Sequence, residues 1–301
     1  MRRAASWTVF PLLIAIEIGG ALALLARGVP ATIVVGAAFA VTIAVVVVLE
    51  RLMPYRESWN HRRGDLAADA AYLPTTVAVN ATLEPGIKAL GAVWGAALAG
   101  LIGAGLWPVG WSLAAQLAMA CVIAEFFDYF AHRVMHEHAW LWRLHATHHS
   151  APRLYWLNAT RSHPGEMLFR GTIGMLPLAL LGAGQDVFVL LGVVNVAVGF
   201  FQHANVDFAL GPLSWVFSVG DLHRWHHSRL RREADCNYGN NFIFWDAVFG
   251  TRHLPPECPP AEVGIAGLDA FPPGYWQQLV SPLRWQHIEA ASERATTTNT
   301  A

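Results

Sequence analysis

The chain has 301 residues, of which 54% are hydrophobic and only 14% are charged, and its formal net charge is −1. A soluble domain carries about a quarter charged residues, so this composition indicates an integral membrane protein. The near-zero net charge gives no general attraction to nucleic acid. The three cysteines, Cys121, Cys236 and Cys258, are widely spaced and form no CxxC pair, so they indicate neither a disulfide framework nor a zinc finger.

The first two predicted elements are apolar helices near the N-terminus. Residues 8–26 and 30–50 are each long and apolar enough to span a bilayer. A signal peptide is the alternative for the first, but its apolar run is long and the second run follows almost at once. Glu17 lies inside the first span, where a carboxylate facing lipid is costly. We therefore expect Glu17 to face other helices and to make an interhelical hydrogen bond.

Three further apolar segments follow along the chain. Residues 70–108 are interrupted by prolines and glycines, which predicts either a kinked span or a re-entrant hairpin. Residues 111–130 form another predicted span. Residues 171–202 are too long for one crossing, and the glycine-rich stretch 182–186 has the composition of a turn. This segment therefore predicts a helical hairpin that leaves and returns to the same side.

Histidines are concentrated in three sets with helical spacing. Each set is expected to lie on one face of a helix, because residues i, i+3 and i+4 are neighbours there. The members are His132 and His136; His145, His148 and His149; and His223, His226 and His227. Eight imidazoles are too many for one tetrahedral zinc, and they suit two metal ions that each keep an open position. Unrelated surface histidines, the alternative, would not repeat the HxxHH spacing twice.

The arrangement of arginines predicts the orientation in the membrane. Arginines precede the first span, follow the second and surround both histidine-rich regions, whereas only Arg27 lies between the first two spans. By the positive-inside tendency, all these arginine-rich faces are cytoplasmic. The single lysine, with abundant alanine and glycine, suggests a bacterial source. We therefore expect an all-α fold: a polytopic membrane helical bundle, in a bacterial inner membrane, with a cytoplasmic metal-binding cap.

The histidine motifs resemble those of a known family. HRVMH at 132–136, HATHH at 145–149 and HRWHH at 223–227 match the HxxxH, HxxHH and HxxHH boxes of the fatty acid hydroxylase and sterol desaturase superfamily. The resemblance covers roughly residues 120–252 and includes NYGNNFIFWDAVFGT at 237–251. It implies a membrane oxygenase or desaturase that holds two iron ions through histidines, uses O2 and receives electrons from an external donor.

The resemblance also implies roles for particular residues. All eight box histidines are expected to be metal ligands and thereby catalytic. The family commonly uses a further histidine between the second and third boxes, and His203 in FFQHANV occupies that position; a polar helix end is its alternative role. His163 in RSHPGE is a further candidate ligand, and its alternative is a place in a loop or beside a ligand.

Two carboxylates are expected to support the site. Asp128 lies one helical turn before His132, where it could accept a hydrogen bond from a ligand histidine and fix its orientation. The alternative for Asp128 is an ion pair with Arg133 or Arg161. Asp246, in FWDAVFGT, is expected to have a structural role and to hold the segment after the last box over the site.

The expected function is a membrane-bound di-iron oxidoreductase that uses O2 to hydroxylate or desaturate a lipid such as a fatty acyl, sterol, carotenoid or ether lipid. We favour hydroxylation, and a separate electron-transfer protein as partner. A metal transporter is one alternative, but its ligands would lie inside the spans. A zinc hydrolase is another, but HExxH is missing. The predicted divisions are transmembrane helices (1–110), a catalytic region (111–260) and a C-terminal extension with a disordered end (261–301).

Overall fold

A computed structural model of the chain describes residues 2–103, 105–207, 210–256, 260 and 262–299. Cys258, residue 261 at the expected start of the C-terminal extension, and residues 300–301 lie outside the described part. Within it the protein is all-α, as predicted: three isolated β-bridges occur, but no strand. Cys121 and Cys236 are free thiols.

Twelve α-helices and four 3₁₀-helices make up the described part of the chain. The α-helices are α1 (Arg2–Leu25), α2 (Ala31–Leu52), α3 (Leu66–Ile102), α4 (Leu113–Glu137), α5 (Ala139–His149), α6 (Pro164–Leu181), α7 (Gln185–His203), α8 (Asp221–His226), α9 (Arg231–Ala234), α10 (Phe244–Phe249), α11 (Tyr275–Leu279) and α12 (Trp285–Asn299). The 3₁₀-helices are Glu57–Asn60, Trp156–Thr160, Gly211–Trp215 and Ser281–Arg284.

Five of the described helices are long and apolar enough to cross a membrane: residues Trp7–Leu25 of α1, and α2, α3, α4 and α7. This indicates an integral membrane protein and confirms the spans expected at 8–26, 30–50 and 111–130. The cytoplasmic orientation of the histidine face and the three divisions of the chain stay predictions.

Helix α3 resolves the ambiguous segment around residues 70–108. It is one continuous helix of 37 residues with Pro74 and Pro85 inside it. This agrees with the expectation of a single span that contains prolines, and the alternative of a re-entrant hairpin is wrong. An interior proline removes one helical hydrogen bond, but neighbouring helices restore such losses in membrane proteins. Here α3 packs along α6, and Gly91 lies directly against Ala179.

Helices α6 and α7 are separated by the expected turn, but they do not pack as a hairpin, because α6 packs on α3 and α4 whereas α7 packs mainly on α1, α2 and α4. Helix α6 ends at Gly182, which adopts φ +91° and donates its N–H to the carbonyls of Leu178 and Ala179. Glycine accepts this left-handed conformation without steric cost. Helix α7 is the central element, since 72% of its most apolar window is buried, against 17–28% for the other candidate spans. It packs against α1, α2 and α4.

The outer helices are joined by polar and aromatic contacts. Thr42 of α2 donates a hydrogen bond to Glu17 of α1 at 2.7 Å, which confirms the interhelical role expected for Glu17. The ring of Phe10 in α1 packs edge-on against Phe201 of α7 at 5.2 Å. Phe39 of α2 contacts Phe200 in the same way at 5.4 Å. The N-terminal helices are thereby packed against the element that ends at His203.

The C-terminal stretch is polar in sequence, and the disorder expected at its end stays a prediction, because residues 300–301 lie outside the described part. It forms helix α12 as far as Asn299. Trp285, Ile288 and Ser292 are buried, and their spacing of three and four residues places them on one helix face. This buried stripe orders the helix despite its polar composition.

Candidate metal centre

Nine histidines converge in two clusters at the ends of α4, α5, α7 and α8. The first cluster contains His132, His136, His145, His149 and His226. The second cluster contains His148, His203, His223 and His227. Within each cluster the candidate ligand atoms lie within 4.8 Å of one another, and no member is more than 7% exposed. The structure thus brings together all eight box histidines and His203.

Each HxxHH box is divided between the two clusters. In the second box, His145 and His149 join the first cluster while His148 joins the second. The third box divides in the opposite sense, since His226 joins the first cluster and its two companions join the second. Relative to the first histidine of a box, the residue four later is rotated about 40° to one side of the helix and the residue three later about 60° to the other side. The expectation that each set is aimed in a single direction is therefore wrong for these two boxes.

The Nε2 atoms of the first cluster point toward one another. The Nε2 of His145 lies 2.9 Å from that of His132 and 3.1 Å from that of His149. The Nε2 atoms of His136 and His226 are buried and have no hydrogen-bond partner. Buried nitrogen atoms without partners are rare in proteins, and their convergence here is what an ion bound between them would explain.

The second cluster has the same construction. The Nε2 of His223 lies 3.0 Å from the Nε2 of both His203 and His227. His227 in turn lies 3.1 Å from His148, again between Nε2 atoms. The two clusters adjoin, because the rings of His149 and His227 stack with centroids 4.5 Å apart.

In six of the nine histidines the opposite ring nitrogen, Nδ1, makes a hydrogen bond to an oxygen atom outside the clusters. Three acceptors are backbone carbonyls: Tyr238 O for His132 at 2.7 Å, Cys236 O for His226 at 2.7 Å, and Arg161 O for His148 at 3.1 Å. Three are side chains: Asp235 for His136 at 3.1 Å, Glu166 for His145 at 2.8 Å, and Asn158 for His203 at 3.0 Å. A carbonyl or carboxylate oxygen only accepts, so Nδ1 carries the proton and Nε2 keeps its lone pair.

Burial keeps these rings neutral at pH 7. It lowers the pKa well below 6.5 for the histidines outside the membrane-spanning helices, and to about 4 for His226. The group comprises His145, His148, His149, His223, His226 and His227. Neutral imidazole is the form that binds metals. The donor set therefore fits iron and also other transition metals that accept imidazole.

Two cavities that share no lining residue reach the clusters. The inner cavity, of about 310 Å³, is lined by His132, His148, His203 and His223 together with residues of α4, α6 and α7. The outer cavity, of about 450 Å³, is lined by His136, Trp142 and His149 together with residues of α9 and α12. The inner cavity contacts both clusters, so a molecule in it would lie beside both candidate ion positions.

Two sequence candidates lie elsewhere. The carboxylate of Asp128 pairs with Arg170 of α6 at 2.6 and 3.1 Å, so Asp128 supports no histidine, and its ionic partner is neither Arg133 nor Arg161. His163 caps the start of α6: its Nδ1 accepts from the N–H of Gly165, and its Nε2 lies 3.0 Å from Leu279 O. With both nitrogens occupied in this way, His163 joins neither cluster.

The carboxylates that accept hydrogen bonds from cluster histidines could not be predicted from the sequence. Glu166 and Asp235 hold His145 and His136 from other helices, and their spacing from those histidines follows no periodic pattern. Asp246 has the expected structural role. It accepts from the backbone N–H groups of Tyr238 and Gly239, each at 2.8 Å, and so fixes the carbonyl that supports His132.

Comparisons with known proteins agree with this geometry. The model of the fatty acid hydroxylase family matches residues 117–251, a segment that contains all nine clustered histidines. An ornithine lipid hydroxylase of Rhizobium tropici is 40% identical over 250 residues, which cover 80% of this chain and 73% of that protein.

Two further relatives match shorter parts of the chain. A methylsterol monooxygenase of Arabidopsis thaliana is 30% identical over 142 residues, 46% of this chain and 53% of that protein. The human alkylglycerol monooxygenase is 34% identical over 127 residues, 42% of this chain and 28% of that protein. No solved structure matches the chain significantly.

Proposed function

The chain belongs to the fatty acid hydroxylase family, and we propose that it is a membrane-bound di-iron monooxygenase that uses O2 to hydroxylate a lipid. The observation that carries the proposal is the pair of adjoining clusters, in which buried neutral imidazoles direct Nε2 atoms toward common positions. Two ions held next to each other by five and four histidines suit a two-metal reaction better than transport. The second alternative, a zinc hydrolase, uses the same ligand type and is separated by the experiment below.

The overall reaction fixes what must reach the site. Hydroxylation converts R–H, O2, two electrons and two protons into R–OH and water. Two bound irons would supply the O2 activation that breaking an unactivated C–H bond requires. We propose that the two electrons come from a separate one-electron carrier protein. The outer cavity, which has Arg231, Asp235, Glu289 and Glu293 in its lining, is the side on which we expect that donor to approach.

The protein's own residues supply orientation and exclusion of water. The six acceptors around the clusters fix the histidine tautomers and the planes of the rings, as such partners do around metal ligands. Burial of the imidazoles to 7% exposure or less limits the access of water to the ligand atoms. A substrate bound in the inner cavity would lie against His132 of the first cluster and His148, His203 and His223 of the second, which line it.

The lining of the inner cavity favours a polar, hydrogen-bond-donating substrate group. The lining contains three carboxyl groups, those of Glu125, Asp128 and Glu166, and one guanidinium group, that of Arg170. Glu166 and Asn241 each have one side-chain oxygen, Oε2 and Oδ1, that is buried without a hydrogen-bond partner, and a substrate donor would reach these oxygens once the side chains turn toward the cavity. An ammonium group would satisfy such acceptors.

We therefore propose an amine-bearing lipid as the substrate class. This agrees with the printed name of the relative that covers most of the chain, an ornithine lipid hydroxylase, because ornithine carries a side-chain amine. We also propose that the enzyme resides in a bacterial inner membrane with its histidine face toward the cytoplasm.

Lipid mass spectrometry under ¹⁸O2 tests the proposed function. Bacterial cells supplied with aminolipids would express the wild type, His148→Ala or the control His61→Ala, which changes an exposed histidine outside the clusters. We expect one labelled oxygen in an aminolipid from the wild type and the control, and none from His148→Ala. Loss of two hydrogens without label would identify a desaturase. Unlabelled cleavage products would identify a hydrolase, and no lipid change in any cells would reject lipid oxidation.

A further inference from the structure

A buried carboxylate in α2 connects two segments that support the second cluster. Glu50 is 5% exposed, and its Oε1 accepts from the backbone N–H groups of Trp156, at 2.8 Å, and Asn205, at 3.0 Å. Asn205 follows His203 by two residues. Trp156 begins the 3₁₀-helix that contains Asn158. The Oε1 atom of Glu50 is therefore bonded both to the segment that carries His203 and to the segment that carries Asn158, the hydrogen-bond acceptor of His203.

The Asn205 side chain closes this connection. Its Nδ2 donates to Arg56 O at 2.9 Å and to Asn60 Oδ1 at 3.0 Å, and its Oδ1 accepts from the Arg56 N–H at 3.0 Å. Asn60 in turn donates to Glu50 O at 2.9 Å. Asn205 is fully buried, so these groups have no water to replace the bonds. These hydrogen bonds fix the position of the segment after α7 relative to the end of α2.

A second buried carboxylate, in α3, reaches the other supported histidine of the cluster. Asp69 Oδ1 lies 3.4 Å from Arg161 Nη1, and Asp69 Oδ2 accepts from the Tyr155 hydroxyl at 2.8 Å. The backbone carbonyl of Arg161 is the acceptor for His148. Thr76, also in α3, donates to Thr160 O at 2.9 Å, so α3 fixes this segment at several points.

The first cluster has no such support from the N-terminal helices in the part of the chain that is described. Its outward acceptors are Tyr238, Asp235, Glu166 and Cys236, and all four follow α5. Both acceptors of the second cluster, Asn158 and Arg161, are instead fastened to α2 and α3. The two clusters therefore depend on different parts of the fold.

We propose that Glu50 and Asp69 are positioning residues that set the metal affinity of the second cluster and leave the first nearly unaffected. Both lie outside the segment 117–251 that matches the family, which gives α2 and α3 a role beyond membrane anchoring. The inference rests on the proposed two-metal function. Loss of a partner behind a metal ligand typically lowers metal affinity about 10- to 100-fold, and this is the change expected for the second ion.

Substitutions at Glu50 separate positioning from charge. Glu50→Gln keeps an oxygen that can accept from both N–H groups, so it should retain the second ion with near wild-type affinity. Glu50→Leu leaves two buried N–H groups without an acceptor, which a folded protein tolerates poorly. The segments that hold His203 and Asn158 should then move apart, and the second ion should bind 10- to 100-fold more weakly.

The experiment is a metal titration of the full chain, purified in detergent and stripped of metal. Fe²⁺ is added without oxygen, and the metal bound per chain is determined with elemental analysis. The wild type should bind two ions tightly, and Glu50→Leu and Asp69→Asn should bind one tightly and one weakly. The matched control is Glu17→Leu, which removes a buried carboxylate of α1 that contacts α2 rather than the site; it should bind two ions tightly.

The retained first ion reports that the variants have folded. Unchanged affinity for both ions in Glu50→Leu and Asp69→Asn, or equal weakening of both ions, would overturn the inference. If Glu50→Leu does not accumulate, Asp69→Asn decides, because it conserves shape and removes only the charge that faces Arg161. A wild type that binds no iron at its histidines would instead overturn the proposed function.

Discussion

At the scale of single residues, the atom that each Nδ1 meets decides what a histidine can do. His203 donates from Nδ1 to Asn158 and so directs a lone pair from Nε2 into the second cluster. His163 is also a candidate ligand from the sequence, but one of its nitrogens caps α6 and the other faces Leu279 O. The first is a candidate ligand, whereas the second stabilises the loop between α5 and α6.

Alanine substitutions at these two histidines should therefore have different consequences. His203→Ala leaves three imidazoles in the second cluster, so we expect about one tightly bound metal ion per chain instead of two and loss of lipid hydroxylation. His163→Ala should keep both ions and cost about 1 kcal/mol of stability through the lost helix cap. Metal analysis and thermal unfolding of the purified variants check this, and loss of an ion from His163→Ala would contradict the assignment.

At the scale of elements, the close packing of α3 on α6 decides where the inner cavity lies. Gly91 has no room for a side chain, because a Cβ built there would lie 2.2 Å from the Cβ of Ala179. Helix α6 also carries Glu166 and Arg170 into the inner cavity. The contact between α3 and α6 therefore positions the wall of the inner cavity that α6 provides.

Glycine-to-alanine substitutions within α3 test this packing. Gly91→Ala should destabilise the protein by about 1–3 kcal/mol, the usual cost of overpacking. Gly86→Ala is the matched control on the same helix, since nothing lies within 4 Å of its added Cβ, and it should be neutral or stabilising because alanine favours helix. Thermal unfolding in detergent measures both. Equal stability of the two variants would show that α3 and α6 are not in this close contact.

At the scale of the whole molecule, the histidine-bearing ends of α4, α5, α7 and α8 meet on one face of the bundle. The turn after α6 lies at the opposite end of the bundle from that face, where Gly182 contacts Trp107 in the loop before α4. The arginine-rich segments follow the histidine-bearing ends. The positive-inside tendency therefore predicts a cytoplasmic orientation for this face.

Reporter fusions test the proposed orientation. A fluorescent protein attached after residue 301 should be fluorescent in a bacterial host, because it would remain in the cytoplasm. Alkaline phosphatase inserted at residue 110, between α3 and α4, should be active, because that loop would face the periplasm. Truncated fusions after residue 60 serve as the cytoplasmic control for the phosphatase. The opposite pattern of activities would reverse the predicted orientation.

The sequence alone determined the all-α architecture with bilayer-length apolar helices and eight of the nine histidines of the two clusters. Apolar runs of bilayer length and the HxxxH and HxxHH spacings are local properties, because each depends only on residues that are close together along the chain. His203 could also be proposed, because the resemblance to the family gave it a place between two boxes.

Only the tertiary structure decided how the histidines are divided and what supports them. Each HxxHH box contributes to both clusters because its side chains meet partners from other helices on two sides. The exclusion of Asp128 and His163, and the supporting roles of Glu166, Asp235 and Asn158, likewise depend on contacts between distant segments. Spacing along one helix fixes the direction of a side chain, but its hydrogen-bond partner is fixed by which helix packs opposite it.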